Sequence, residues 1–249
     1  MDAPGRILAC ALDVGESMLI CGGEVARVED TISRILYAYG AQRADIFTIT
    51  SSIVATLDMD GQVLTQTRRI FQQQIDFDKL DKLNALSRQI CRDKPDCAAL
   101  RRQLEDIARG PRYGRGMMFL TYALVAAAFS LFFGGSFADA LASALTALAL
   151  KALMDSLGPV GLNPVLASAL YAFAGGAVAV LALSLGLGDS FDKIAIGDIM
   201  LLIPGAALTN ALRDLLSGDT ISGLTRLVQA VLAAIAVATG FALARGWLL

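Results

Sequence analysis

The chain has 249 residues, of which 55% are hydrophobic, and its mean hydropathy of +0.59 excludes an ordinary water-soluble protein of this length. The net charge of −2 and the lack of a basic stripe or finger motif argue against nucleic-acid binding. The chain has no histidine, the commonest metal ligand and proton relay near neutral pH, so any proton coupling must use carboxylates.

The charged residues are concentrated in the first half of the chain. Residues 1–116 contain 32 of the 44 charged residues, whereas long apolar runs dominate the remainder. We therefore predict a small cytoplasmic α+β domain over residues 1–112, followed by an all-α polytopic membrane domain over residues 113–249. The four cysteines form no CxxC pair, which predicts free thiols and no zinc or redox site. We expect no metal and no cofactor.

The first domain is predicted to combine helices with a hairpin or small sheet. Helical periodicity or strand-forming residues cover, in chain order, residues 7–20, 24–39, 45–57, 63–70, 77–91 and 97–108. Gly40 is placed to end the second helix, and Asp58–Gly61 is a turn signal between the two predicted strands. No signal peptide is recognised, so we expect this domain to stay in the cytoplasm.

The second domain is predicted to cross the membrane about five times, since a span needs roughly 20 mostly apolar residues. The candidate spans cover residues 117–134, 137–155, 163–187, 194–213 and 220–244. Arg109, Arg112 and Arg115 precede the first span, and basic residues favour the cytoplasmic side. This predicts a cytoplasmic N-terminus and a periplasmic C-terminus in a bacterial inner membrane, with Arg245 as the one exception.

Two stretches resemble the threonine/serine exporter family of bacterial inner-membrane carriers. One is Gly-Gly-Glu-Val-Ala-Arg-Val-Glu-Asp-Thr at residues 22–31, which continues to Ala-Tyr-Gly at residues 38–40. The other, more specific stretch runs from Ile-Met-Leu-Leu-Ile-Pro-Gly at residues 199–205 to Thr-Asn-Ala-Leu-Arg-Asp at 209–214 and Ser-Gly-Asp-Thr at 217–220. The layout of a cytoplasmic domain before about five spans resembles that family as well.

The resemblance implies a subunit of a secondary exporter of small polar metabolites. The fused form of the family has about ten spans, so five spans imply the larger subunit of a split form that works with a smaller all-membrane subunit. The implied substrates are threonine and serine or a dicarboxylate such as succinate, and a higher oligomer is left open. No nucleotide-binding motif is present, so we expect coupling to protons.

The fourth span contains the first candidate residues for a transport path. Pro204 and Gly205 interrupt the helix, and the exposed backbone of a broken helix can bind substrate in carriers, although a simple packing kink is equally plausible. Asp198 lies near the outer end of this span and is either a proton site or an interfacial carboxylate.

A polar cluster follows the break. Thr209 and Arg213 are four residues apart, as are Asn210 and Asp214, so they form two adjacent stripes on a helix. Arginine suits a substrate carboxylate and aspartate suits an ammonium group. The alternative is that Arg213 and Asp214 extend into water at the inner interface.

The fifth span begins with further candidates. Asp219 more plausibly caps the next helix than binds substrate. Arg226 lies about two turns into the span and needs a partner, either Asp214 or Asp219, as a gate or a structural clamp. Gln229, one turn further, could line the same path.

The cytoplasmic motif contributes four charged residues near the start of a helix: Glu24, Arg27, Glu29 and Asp30. Acidic residues there are ordinary partners of the helix dipole, and the motif match adds a contact with the inner mouth of the pore as a possibility. Without a histidine, a cysteine pair or a phosphate loop, the sequence does not support an enzyme. The remaining alternatives are a membrane-anchored sensor or scaffold subunit and, less favoured, a membrane-bound hydrolase.

Overall fold

The computed structural model describes residues 3–71, 73–110 and 113–248. The described residues separate into two compact units, the first within Met1–Pro111 and Ala206–Leu227, the second within Arg112–Gly205 and Val228–Leu249. Arg112 and the predicted domain boundary beside it lie outside the described residues. In chain order the elements are α1 (Pro4–Ile20), α2 (Val25–Ala38), β1 (Arg43–Ile49), β2 (Ser52–Met59), β3 (Gln62–Arg69), α3 (Phe77–Asp93), α4 (Cys97–Ala108), α5 (Arg115–Phe132), α6 (Phe137–Leu157), a 3-10 turn (Gly158–Val160), α7 (Pro164–Ser184), α8 (Phe191–Leu202), α9 (Gly205–Leu216) and α10 (Thr220–Leu248).

The first unit packs helices on a small sheet. Alternate residues of β2, from Ile53 to Met59, point into a core that α1 and α2 cover with their apolar faces. Asp76 and Asp96 cap α3 and α4, each accepting a hydrogen bond from a backbone N–H of the first turn. The predicted end of the second helix at Gly40 is confirmed, since this residue follows the last turn of α2 with a φ of +101°.

The prediction of one strand over residues 45–57 is wrong, because a turn at Thr50 and Ser51 divides this stretch into β1 and β2. The sheet is an antiparallel meander in the order β1-β2-β3, with Ile46 opposite Ala55 and Val54 opposite Thr67. A single strand of that length would leave the buried face of β2 without the neighbour that β1 provides. Residues with a high β propensity, mainly Ile, Thr and Val, lie on both sides of the turn, so the sequence gives no sign of it.

The second unit is a bundle of apolar helices with small residues at their crossings. A Cβ atom on Gly240 of α10 would lie 2.6 Å from the carbonyl oxygen of Ala169 in α7. A Cβ atom on Gly197 of α8 would lie 2.4 Å from the carbonyl oxygen of Ala126 in α5. Helices can approach this closely only where a side chain is missing, as is usual for membrane helices.

Among the described residues, four helices are long and apolar enough to cross a membrane, namely α5, α6, α7 and α10. The bent pair of α8 and α9 makes a fifth if it counts as one span. The predicted fourth span over residues 194–213 is thus two helices, separated at Ile203 and Pro204 because proline cannot donate the backbone hydrogen bond that would continue α8. The fold is therefore mostly helical with a small sheet, and the cytoplasmic location of the N-terminal part stays a prediction.

Candidate functional site

The loop between α1 and α2 has a conformation that its glycines impose. Gly22 has a φ of +90°, in the left-handed region that L side chains rarely adopt. A Cβ atom on Gly23 would lie only 2.9 Å from the carbonyl oxygen of Met18. Two consecutive glycines thus allow α1 to turn sharply into α2, and this turn exposes the loop's carbonyl groups to hydrogen-bond donors.

The hairpin of α9 and α10 supplies those donors within the same compact unit. Gly218 turns the chain with a φ of +91°, and Gly223 allows close packing, since a Cβ atom there would lie 2.6 Å from Leu215 Cγ. Asn210 and Asp214 are one turn apart on the buried side of α9, and Arg226 is buried on α10. The hairpin therefore brings an amide, a carboxylate and a guanidinium to one side.

The two parts of the chain, about 190 residues apart in sequence, meet through specific hydrogen bonds. Asn210 Nδ2 donates to the carbonyl oxygen of Gly22 at 2.9 Å, and Arg226 Nη2 donates to that of Gly23 at 3.0 Å. The backbone N–H of Val25 donates to Asp214 Oδ1 at 3.3 Å. Because Val25 is the first residue of α2, the carboxylate of Asp214 acts as a cap supplied from another helix.

Two ion pairs complete this loop–hairpin cluster, which we define as residues 22–25 with Asn210, Arg213, Asp214 and Arg226. Arg226 Nη1 lies 2.9 Å from Asp214 Oδ2, and their side chains are only 6% and 1% exposed. Arg213 pairs with Glu24, and its side chain remains 56% exposed. The cluster thus has a buried ion pair and, beside it, a guanidinium within reach of water.

The buried ion pair is stabilised by its surroundings rather than by Coulomb attraction alone. Removing two charges from water costs several kcal/mol per ion, which attraction repays only when further hydrogen bonds satisfy both groups. Gly23 provides such a bond to Arg226, and Val25 provides one to Asp214. Loss of the loop would leave both charges buried without these bonds, so closing of the loop and pairing of the charges depend on each other.

Glu29 lies on α2 close to the same hairpin. Its Oε1 atom accepts a hydrogen bond from the backbone N–H of Thr48 at 2.6 Å. Burial raises the pKa of the Glu29 carboxyl, the bond from Thr48 opposes this rise, and the negative charge of Asp219 raises it further. Asp219 itself lies in the turn between α9 and α10, where its backbone N–H donates to the carbonyl oxygen of Asp214 at 2.9 Å.

The other predicted residues take no part in the hydrogen bonds and ion pairs named above. Thr209 is exposed on the stripe of α9 adjacent to that of Asn210. Gln229 is exposed on the part of α10 that belongs to the second unit. Arg27 and Asp30 are exposed on α2 and face a cleft toward α3. Pro204 lies in the break between α8 and α9, and Gly205 is the first residue of α9.

Asp198 is a buried carboxyl group in the second unit. Its side chain is 0% exposed, and neither carboxylate oxygen has a hydrogen-bond partner among the described residues. The buried hydroxyl groups of Ser143 on α6 and Ser130 on α5 lack partners in the same way. Ser143 lies against the residue that precedes Asp198, since a Cβ atom on Gly197 would be 2.2 Å from its Oγ atom.

Sequence reasoning missed several of these groups. Ser130 and Ser143 lie inside apolar runs, where a serine is usually satisfied by its own helix backbone and gives no signal. Asp139 is buried, and its Oδ1 atom accepts hydrogen bonds from the backbone N–H groups of Asp189 and Ser190 at 2.7 and 2.9 Å. The Ser136-x-x-Asp139 pattern of a capping box could have identified it as a structural residue.

Comparison with known proteins gives one family and several relatives. The family described as "Putative threonine/serine exporter" matches residues 9–246. The chain is 26% identical over 243 residues to the "Probable succinate transporter subunit YjjP" of Escherichia coli (strain K12), which covers 95% of this chain and 94% of that protein. It is 25% identical over 247 residues to the protein of that name from Klebsiella aerogenes, with 96% and 94% coverage. It is 21% identical over 234 residues to the "Threonine/serine exporter" of Corynebacterium glutamicum, covering 91% of this chain but 48% of that protein. No solved structure gave a significant match.

Proposed function

We propose that this chain, which belongs to the threonine/serine exporter family, is the larger subunit of a two-subunit secondary exporter in a bacterial inner membrane. The observation that carries this proposal is one of length. The chain aligns with 94% of a relative named as a transporter subunit, yet with only 48% of a relative named as an exporter. A second, all-membrane chain would supply the helices that correspond to the rest of the longer exporter.

The proposed substrates are small polar metabolites with a carboxylate, either threonine and serine or a dicarboxylate such as succinate. The names of the relatives support both groups. Arg213 is an argument for a substrate with a carboxylate group, because its planar guanidinium can bind a carboxylate bidentately and its side chain is more than half exposed. The family is one of transporters, which agrees with the prediction that the chain is not an enzyme.

The loop–hairpin cluster is proposed to act as a gate on the cytoplasmic side of the transport path. In the closed arrangement Glu24 forms an ion pair with Arg213, while Asn210 and Arg226 donate hydrogen bonds to the carbonyl groups of the loop. A substrate carboxylate would compete with Glu24 for Arg213. Because Asp214 of α9 also caps α2 next to Glu24, loss of the Glu24 contact would weaken a connected set of bonds rather than a single one.

Coupling to protons is proposed to involve Asp198. A charged carboxylate buried without partners is expensive, whereas a protonated one can be accommodated, so this group suits a carrier that binds and releases a proton. Asp214 is less suited to this role because a guanidinium and a backbone N–H already bind its carboxylate.

The proposal is tested by export from cells that lack their own exporters and are loaded with threonine, serine or succinate. The cells express this chain alone, its candidate small membrane partner alone, or both. We expect export only when both chains are present, and the substrate that leaves the cell identifies the class. A chain that inserts into the membrane but changes no efflux in any combination would contradict the exporter function.

Two variants with matched controls test the proposed roles. Arg213→Gln should reduce export without loss of the protein from the membrane, whereas Arg92→Gln, another exposed arginine that pairs with a neighbouring acid, should not. Asp198→Asn should abolish stimulation of transport by an imposed pH gradient in proteoliposomes of both subunits, whereas the exposed Asp192→Asn should retain it. Normal export by Arg213→Gln, or normal pH stimulation of Asp198→Asn, would remove that residue from the mechanism.

A further inference from the structure

A cleft between α2 and α3 lies within the first unit, separate from the loop–hairpin cluster. It has a volume of about 470 Å³, which is within the range of small-molecule sites. Residues spaced three or four apart on each helix line it, so that one face of α2 opposes one face of α3. The charged and polar lining includes Arg27, Asp30 and Arg34 from α2 and Asp81, Ser87 and Arg88 from α3.

The charges of this cleft are not balanced. Arg34 is paired with Asp30 at 2.7 Å, so these two groups largely neutralise each other. Within the described part of the chain, Arg27 on α2 and Arg88 on α3 form no salt bridge, which leaves two available guanidiniums against the single carboxylate of Asp81. Each of the two arginines belongs to a different helix, so one ligand could bind both walls.

We propose that this cleft binds a small dicarboxylate, with one carboxylate on Arg27 and the other on Arg88. Guanidinium groups bind carboxylates bidentately, and two of them on opposite walls favour a ligand with two carboxylates over one with a single carboxylate. Asn84 also lines the cleft, and its side-chain amide can donate a further hydrogen bond to a carboxylate. The proposal concerns binding to the first unit and does not depend on the transport role proposed above.

Binding there would act on the loop–hairpin cluster through α2. The helix begins at Val25, whose N–H is bound by Asp214, and Arg27 follows within the first turn. A ligand that joins α2 to α3 would restrict movement of α2 and so of the loop before it. The site is therefore suited to regulating the chain in response to the concentration of a dicarboxylate.

Cys91 provides a direct probe of the cleft because it lines the cavity and is half-buried, whereas Cys10, Cys21 and Cys97 are buried. Burial raises the pKa of the Cys91 thiol, so labelling requires mildly alkaline solution. The experiment measures the rate at which iodoacetamide alkylates the full-length chain in detergent micelles, with and without succinate. Butyrate at equal ionic strength serves as the monocarboxylate control, and Cys91→Ser identifies the labelled residue.

We expect succinate, but not butyrate, to slow labelling of Cys91 in a saturable manner. Arg27→Gln and Arg88→Gln should each raise the succinate concentration that gives half-maximal protection roughly tenfold or more. Arg102→Gln on α4 should leave that concentration unchanged. Asp81→Asn should bind succinate more tightly, a gain that misfolding cannot produce. Equal protection by butyrate, no protection by succinate, or unchanged succinate affinity in the Arg27 and Arg88 variants would overturn the proposal.

Discussion

The buried ion pair between Asp214 and Arg226 allows a quantitative prediction for stability. Asp214→Asn leaves the guanidinium buried without its counter-charge, and Arg226→Gln leaves the carboxylate in the same position. Removing one partner of a buried pair costs about 3–5 kcal/mol of unfolding free energy. For a chain of this size, that corresponds to a fall in Tm of roughly 6–20 °C.

The double variant tests whether the cost arises from pairing. With both charges replaced by neutral amides of similar volume, no uncompensated charge remains, so we expect the double variant to lose no more stability than either single variant. The assay is thermal unfolding of the full-length chain in detergent micelles for all four members of the cycle. Arg245→Gln is the control, because its pair with Asp192 is exposed and should contribute less than about 1 kcal/mol.

Additive losses would refute this reasoning. If the double variant loses the sum of the single losses within about 0.5 kcal/mol, Asp214 and Arg226 stabilise the chain independently. Their proximity would then be incidental, and the proposed dependence of loop closure on charge pairing would fail. A loss by Arg245→Gln as large as that of Arg226→Gln would show instead that any arginine substitution destabilises the protein.

Three further predictions concern the loop, a titrating group and a helix start. Gly23→Ala should lower the unfolding free energy by about 1–3 kcal/mol because its Cβ atom would meet the carbonyl oxygen of Met18, and thermal unfolding measures this. The pKa of Glu29 is raised in the folded protein, so folding favours its protonated carboxyl group. The stabilisation that results is fully present below the ordinary pKa of glutamate and is lost as the pH rises through the raised pKa. Glu29→Gln should therefore gain stability relative to the natural chain between about pH 4 and about pH 7, and an equal difference at both would contradict the sign. Asp139→Ala should lower Tm, since it removes both its capping box and the bonds to the backbone before α8, and recovery of Tm by Asp139→Asn would attribute the loss to these hydrogen bonds.

Local patterns explain which parts of the fold could be predicted from the sequence. Apolar runs of about 20 residues predict spanning helices, because the thickness of a bilayer sets their length without reference to any neighbour. The end of α2 at Gly40 was predictable for a similar reason, since a positive φ after a helix is a local preference of glycine. The turn at Thr50 and Ser51 was not, because these residues also occur within strands and only the pairing of β1 with β2 distinguishes the two cases.

Local sequence patterns are sufficient to predict apolar helices long enough to cross a membrane, and to identify the two-glycine loop and the polar helix hairpin as distinctive motifs. That these motifs meet is visible only in the folded chain, where Asp214 binds the start of α2 and Arg226 binds the carbonyl group of Gly23. Likewise, only packing buried Asp198 without a partner among the described residues. Helix formation depends on neighbours in sequence, whereas the contacts between these motifs join residues about 190 positions apart, so no local pattern reveals them.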